Sequence, residues 1–138
     1  MAAEELAIGP GTKLRVVAHS DEQLELEATY AGGSPPPPAH LHPAQDERFE
    51  VLAGAMRTRI DGRDGTLAAG ETLEIPRGTV HQMWNEREQP TVLIWRTLPA
   101  GRTLDWFREI AALQRGEGRA DPASLLSDFS DVFRLAEP

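Results

Sequence analysis

Residues 39 to 54, AHLHPAQDERFEVLAG, set His40 and His42 one residue apart and follow them with Asp46, Glu47 and Glu50. A third histidine, His81, stands in GETLEIPRGTVHQMWN, residues 70 to 85. Three imidazoles and one carboxylate combine neutral nitrogen with hard oxygen, a set suited to a divalent first-row metal. Residues i and i+2 of a strand point to the same face, so His40 and His42 can aim together at one point. Glu47 lies past Pro43, after a bend that can return its carboxylate there, and His81 follows a Pro76-Arg77-Gly78 turn on what would be a partnering strand. His19 stands apart from both stretches and reads as a surface residue. An isolated His-x-His is more simply a polar loop, so the rest of the chain has to decide between loop and site.

The chain has 138 residues, enough for one domain with a buried core, and 40% of them are hydrophobic, above the disordered regime. Its formal net charge of −8 argues against nucleic acid or an anionic membrane as partner, since both need basic patches. With no cysteine there are no disulfides, thiolate nucleophiles or zinc–thiolate sites. The start MAAEELAIG is acidic and lacks the basic and apolar regions of a signal peptide. No apolar run approaches the roughly 20 residues of a membrane helix. The expectation is a soluble cytoplasmic protein.

The elements that would position the histidines are short strands. KLRVVA, residues 13 to 18, reads as one; in residues 22 to 30 Leu24, Leu26, Ala28 and Tyr30 alternate with Glu25, Glu27 and Thr29, the period of a half-buried strand. GGSPPPP interrupts pairing and enters the histidine segment along a stiff, extended path. RFEVLAG, AMRTRIDGRDGTL with two Asp-Gly turn signals, ETLEIP, VHQMWN and TVLIWRTL complete an all-β sandwich or barrel over residues 10 to 99. Beyond Pro99, Leu104, Phe107, Ile110, Ala111 and Gln114 fall at helical spacing before Gly116. Asp121 can cap a second helix starting at Pro122, with Leu125, Leu126, Phe129, Val132 and Phe133 as its stripe. Residues 1 to 102 are thus expected to form the barrel, and 103 to 138 a helical extension of the same domain.

His40, His42, Glu47 and Gly54 spell H-x-H-x4-E-x6-G; Gly70, Pro76, Gly78, His81 and Asn85 spell G-x5-P-x-G-x2-H-x3-N. Five such fixed matches arise by chance roughly once in a million starting points. In this order, with fifteen residues between Gly54 and Gly70, the stretches resemble the two motifs of the cupin superfamily in its small, single-domain, RmlC-like form. One departure is Ser34, where the family's first motif opens with a glycine; here Gly33 comes one residue early. The resemblance covers residues 33 to 85. It implies a jelly-roll-like double-stranded β-helix, to which the C-terminal helices are added, and a homodimer. It also implies that His40, His42, Glu47 and His81 bind one divalent transition metal, with Fe, Mn, Ni, Zn, Cu and Co all compatible. Glu47 is favoured over Asp46 and Glu50 by its seven-residue offset to Gly54. Gly54, Gly70, Pro76, Gly78 and Asn85 are turn-formers by their chemistry.

Alternation counted from Glu47 turns Phe49 and Val51 inward, and from His81 it turns Met83 inward. Met56, Thr58 and Ile60 share one face of the next strand, and Leu73 and Ile75 share another. A pocket of Phe49, Val51, Met56, Thr58 and Met83 would accept an apolar or aromatic substrate, unless these side chains fill the barrel outright. Residues 91 to 97 are apolar on both faces, so Val92/Ile94 and Leu93/Trp95 stand as equal candidates for the inner one. Two functions follow. One is a metal-dependent dioxygenase or isomerase/cyclase, with Glu47 able to swing off the metal as a catalytic base. The other is a non-catalytic, metal-stabilised module that binds or senses a small molecule. An open cavity reaching the metal favours the first, and a sealed site favours a structural metal.

Overall fold

The computed structural model describes residues 3 to 118 and 121 to 136. In chain order these form β1 (Glu5–Gly9), β2 (Thr12–His19), β3 (Leu24–Tyr30), β4 (His40–Leu41), β5 (Asp46–Ala53), β6 (Ala55–Ile60), β7 (Arg63–Ala68), β8 (Thr72–Ile75), β9 (His81–Trp84), β10 (Thr91–Leu98), α1 (Thr103–Gln114), α2 (Pro122–Asp128) and β11 (Arg134–Leu135). Two antiparallel sheets result, ordered β1-β2-β3-β10-β5-β8 and β11-β4-β9-β6-β7. The all-β expectation holds, and the architecture is the double-stranded β-helix. No helix among the described residues is long and apolar enough to cross a membrane.

Alternation builds the core. Leu24, Leu26 and Ala28 of β3 and Phe49 and Val51 of β5 are buried, while their sequence neighbours face outward. β10 lies between these strands, pairing Leu93 with Ala28 and Val51, Trp95 with Leu26 and Phe49, and Thr97 with Leu24 and Glu47. Directly paired residues share a face of a sheet, so Leu93 and Trp95 point inward. The register decides what composition left open. Gly54 carries the chain from β5 in one sheet to β6 in the other, at φ 87°; a Cβ there would meet Thr91 Oγ1 at 2.6 Å.

Four features depart from the expectations. The first sheet begins at Glu5, because Leu6 is buried opposite Leu14 of β2 and so extends the core ahead of residue 10. Of the two Asp-Gly signals, Asp61-Gly62 makes the β6–β7 turn with positive φ at both residues. Asp64-Gly65 instead lies within β7, with Gly65 paired to Thr58. The buried face of α1 includes Thr103 and Trp106, whereas Gln114 is exposed. Last, the second helix is shorter than its apolar stripe. Asp121 does cap it, accepting from the Ala123 N–H at 3.0 Å, but it ends at Asp128. Ser127 and Asp128 form its last turn and Ser130 and Asp131 follow, and such side chains compete for backbone hydrogen bonds and favour turns. The chain turns there and returns as β11 along β4, pairing Arg134 with Leu41 and Leu135 with His40.

Asn85, fully buried, pins the end of β9. Its Nδ2 donates to the carbonyls of Tyr30 and Gln89 at 3.1 and 2.8 Å, and its Oδ1 accepts from the Arg87 N–H at 3.0 Å. Asn85→Ala leaves these backbone groups without partners, and each unsatisfied buried group is costly. Urea unfolding should show a loss of about 3 kcal/mol; stability equal to that of the parent chain would refute this role.

Candidate metal centre

His40 on β4 pairs with His81 on β9, and His42 follows one residue after β4. One ligating atom from each lies within 4.8 Å of the others. The orientation of each ring is fixed from behind. Nδ1 of His40 lies 2.9 Å from the Pro38 carbonyl, Nδ1 of His42 2.7 Å from that of Val132, and Nδ1 of His81 2.9 Å from that of Thr79. A carbonyl oxygen only accepts, so each Nδ1 carries its proton and donates it. In the neutral ring the lone pair then belongs to Nε2, the tautomer a metal ligand needs.

Glu47 comes to the same place from β5. Its Oε1 lies 3.2 Å from His42 Nε2 and 3.0 Å from His81 Nε2, and its Oε2 accepts from the Trp95 indole N–H at 2.7 Å. The carboxylate is 1% exposed. His42 Nε2 and Glu47 Oε1 are both buried and, although close, are misaligned for a hydrogen bond with each other. Buried polar atoms that converge without a hydrogen-bond partner are what a cation would satisfy. The histidines and the carboxylate therefore fit a divalent metal, with the three imidazoles as the compact set and Glu47 beside two of them.

The rival carboxylates are elsewhere. Asp46 pairs with Arg77 near the surface, accepting from its backbone N–H at 2.9 Å, and Glu50 falls on the opposite face of β5 from Phe49 and Val51. His19 is exposed at the end of β2.

A cavity of about 350 Å³ opens onto His40, His42 and His81 and is walled by Tyr30, Phe49, Met83, Trp95 and Phe107 among others. Phe49 and Met83 of the expected pocket are on this wall. Val51, Met56 and Thr58 are buried but do not line the cavity, because they sit further along strands that fill the barrel core. Phe133 stacks on the His40 ring at 4.7 Å between centroids and on Trp106 at 4.9 Å.

Residues 26 to 96 match the model of the Cupin domain family. This chain belongs to the cupins. Over 67 residues the cupin is 42% identical to the oxidoreductase iacF of Pestalotiopsis fici, a match covering 48% of this chain and 31% of that protein. The chain thus spans about a third of the length of that curated relative. Among solved structures it is similar to KdgF from Halomonas sp., with a TM-score of 0.66 and 20% identity over 73% of this chain and 92% of that one. It is also similar to an RmlC-like cupin from Shewanella frigidimarina, with a TM-score of 0.65 and 22% identity over 74% and 88%. At these identities the structural likeness concerns the fold.

The charge balance of this cupin's site is set by burial and proximity. Burial pushes the Glu47 carboxyl up, but His42 and His81 together pull it well below the usual carboxylate range. Burial works against charge on His42, yet the neighbouring Glu47 outweighs it and raises the ring's pKa. His40 is pushed down to about 4, by burial first and by His81 second. Near neutral pH Glu47 is therefore ionised and His40 neutral. A divalent ion would take the place of the positive charge that Glu47 otherwise draws onto His42.

Sequence reasoning did not find Trp95, the Val132 carbonyl or Phe133 as parts of the site. Trp95 was one of two equal choices on a strand apolar on both faces, and Val132 and Phe133 were absorbed into a helical stripe. Trp95→Phe keeps the ring and removes the N–H that holds Glu47. Losses of this kind behind a metal site typically weaken binding ten- to a hundredfold. Competition against a chromogenic chelator should show metal affinity down about tenfold, with little change in thermal unfolding. Unchanged affinity would mean that the indole N–H does not position the carboxylate.

Proposed function

We propose that this cupin holds one divalent transition metal through His40, His42, His81 and Glu47, and that it is an enzyme transforming an apolar or aromatic small molecule. The observation that carries this reading is the cavity: it ends on the three imidazoles and is not sealed by the side chains around them. A metal serving only the fold would need no such approach.

A divalent ion bound there supplies Lewis-acid polarisation of a substrate oxygen and, if redox-active, electron exchange with dioxygen. The chain does the rest. Phe49, Trp95 and Phe107 present ring faces and edges that orient a flat ligand and exclude water from the histidines. Glu47, ionised and held through Oε2 by Trp95, lies behind the histidines with Oε1 beside His42 and His81, and it would take a proton from a substrate hydroxyl or carbon by swinging past them toward the cavity. Removal of that proton is a common first step of dioxygenation and of isomerisation or cyclisation, the two reaction classes proposed. The likeness to an oxidoreductase supports the oxidative one. A homodimer is part of the proposal, since among the described residues β8 is an edge strand of the larger sheet and such an edge favours a covering partner.

Elemental analysis of variants tests the ligand set, and product analysis tests the chemistry. His81→Ala should lose most of its metal, His19→Ala none. Glu47→Gln should keep much of the metal yet lose turnover. The metal-loaded chain, incubated in air with a panel of aromatic alcohols and ketones, should give oxygenated or rearranged products by mass spectrometry. Compounds that bind and are recovered unchanged across the panel would favour a non-catalytic binding module. Full metal occupancy in His81→Ala would remove the site itself.

A further inference from the structure

Tyr30 closes β3 on its inward face, in step with Leu24, Leu26 and Ala28, and its ring forms part of the cavity wall. Its cross-strand neighbour on β2 is Thr12, also on that wall. The backbone carbonyl of Tyr30 is engaged by Asn85, but among the described residues its hydroxyl has no hydrogen-bond partner. The hydroxyl is not among the atoms sealed from solvent without a partner, so it is open to the cavity, where a ligand atom can make the bond that water otherwise makes.

The rest of the wall narrows what that atom can be. The Trp95 N–H is already taken by Glu47, Phe49, Met83 and Phe107 offer neither strong donors nor strong acceptors, and the Trp106 indole can only donate, so a ligand oxygen suits it as well. Among the described residues no lysine, arginine, aspartate or glutamate lines the cavity. An ionised group placed away from the histidines would be desolvated with no counter-charge. Burial, and the charge of Glu47 after it, hold the Tyr30 phenol well above its ordinary ionisation range, so it stays a neutral donor.

We propose that the Tyr30 hydroxyl, with Thr12 beside it, hydrogen-bonds a neutral oxygen of the ligand, so that the ligand is an aromatic molecule bearing a phenolic hydroxyl or carbonyl and no charge away from the metal site. This rests on the reading of the cavity as a ligand site and adds the polar contact that selects within the aromatic class.

The test uses the full chain in EDTA, so that metal coordination plays no part, and two probes of one shape: 2-naphthol and naphthalene. Binding is followed by quenching of tryptophan fluorescence, since Trp95 and Trp106 both line the cavity. Tyr30→Phe removes one oxygen and keeps the ring. It should weaken 2-naphthol about fivefold, the scale of one neutral hydrogen bond, and leave naphthalene unchanged. Thr12→Val should act in the same sense and less strongly. Equal affinity of the parent chain and a folded Tyr30→Phe chain for 2-naphthol overturns the inference, as does an equal loss for both probes. If neither probe binds the parent chain, the reading of the cavity as an aromatic site fails first.

Discussion

A carboxylate buried inside a barrel is the constraint around which this protein is arranged. Removing Glu47 from water carries a penalty of several kcal/mol even after relaxation, and proximity to opposite charge offsets it only with good geometry. The barrel provides that geometry on two sides. Trp95, on the strand next to β5, fixes one carboxylate oxygen, while His42 and His81 face the other. Three backbone carbonyls then hold all three imidazoles with their free nitrogens inward. Glu47 is held as an anion in a place that demands a cation. Neutral residues of the same shape would suit the fold as well or better, so a buried anion beside three imidazoles points to a site built for a cation.

The site is closed by residues far along the chain. The Val132 carbonyl that orients His42 is 90 positions away, and Phe133 stacks on His40. Pairing of β11 with β4, and an Ala136 N–H donated to the Ala39 carbonyl at 2.9 Å, lay this C-terminal segment along the histidine strand. Arg102 ties the segment to the start of α1, through Asp131 and the Asp128 carbonyl, with its guanidinium 4.3 Å above the Phe129 ring. Docking of the C-terminal segment and orientation of the His42 ring are therefore linked, because the Val132 carbonyl arrives with that segment. The family motifs lie in the barrel, yet part of the support for the ligands comes from outside them.

The motif residues were the most legible part of the sequence because their types and spacing are fixed, even where their partners are far along the chain. Gly54 needs a positive φ and a close approach to Thr91, and Asn85 ties its own turn at Arg87 and Gln89 to the Tyr30 carbonyl of β3; the fixed spacing of the motifs marks both. Strand alternation was equally readable on β3 and β5, where one face is polar. It failed on β10, whose two faces are both apolar, and there only the register with β3 and β5 showed that Trp95 faces Glu47. The pocket was half legible. Alternation says which residues point inward but not how deep they lie, which is why Phe49 lines the cavity while Val51 and Met56 are core. The end of α2 was misread because Phe129, Val132 and Phe133 keep a helical spacing while the serines and aspartates between them break the helix.

The central claim is that three imidazoles and one carboxylate of this chain share a metal ion. X-ray absorption at the metal edge of the loaded protein addresses it directly. The expected result is a first shell of nitrogen and oxygen at about 2.0–2.2 Å, with outer-shell scattering from three imidazole rings. A first shell of oxygen alone, without imidazole scattering, would contradict it.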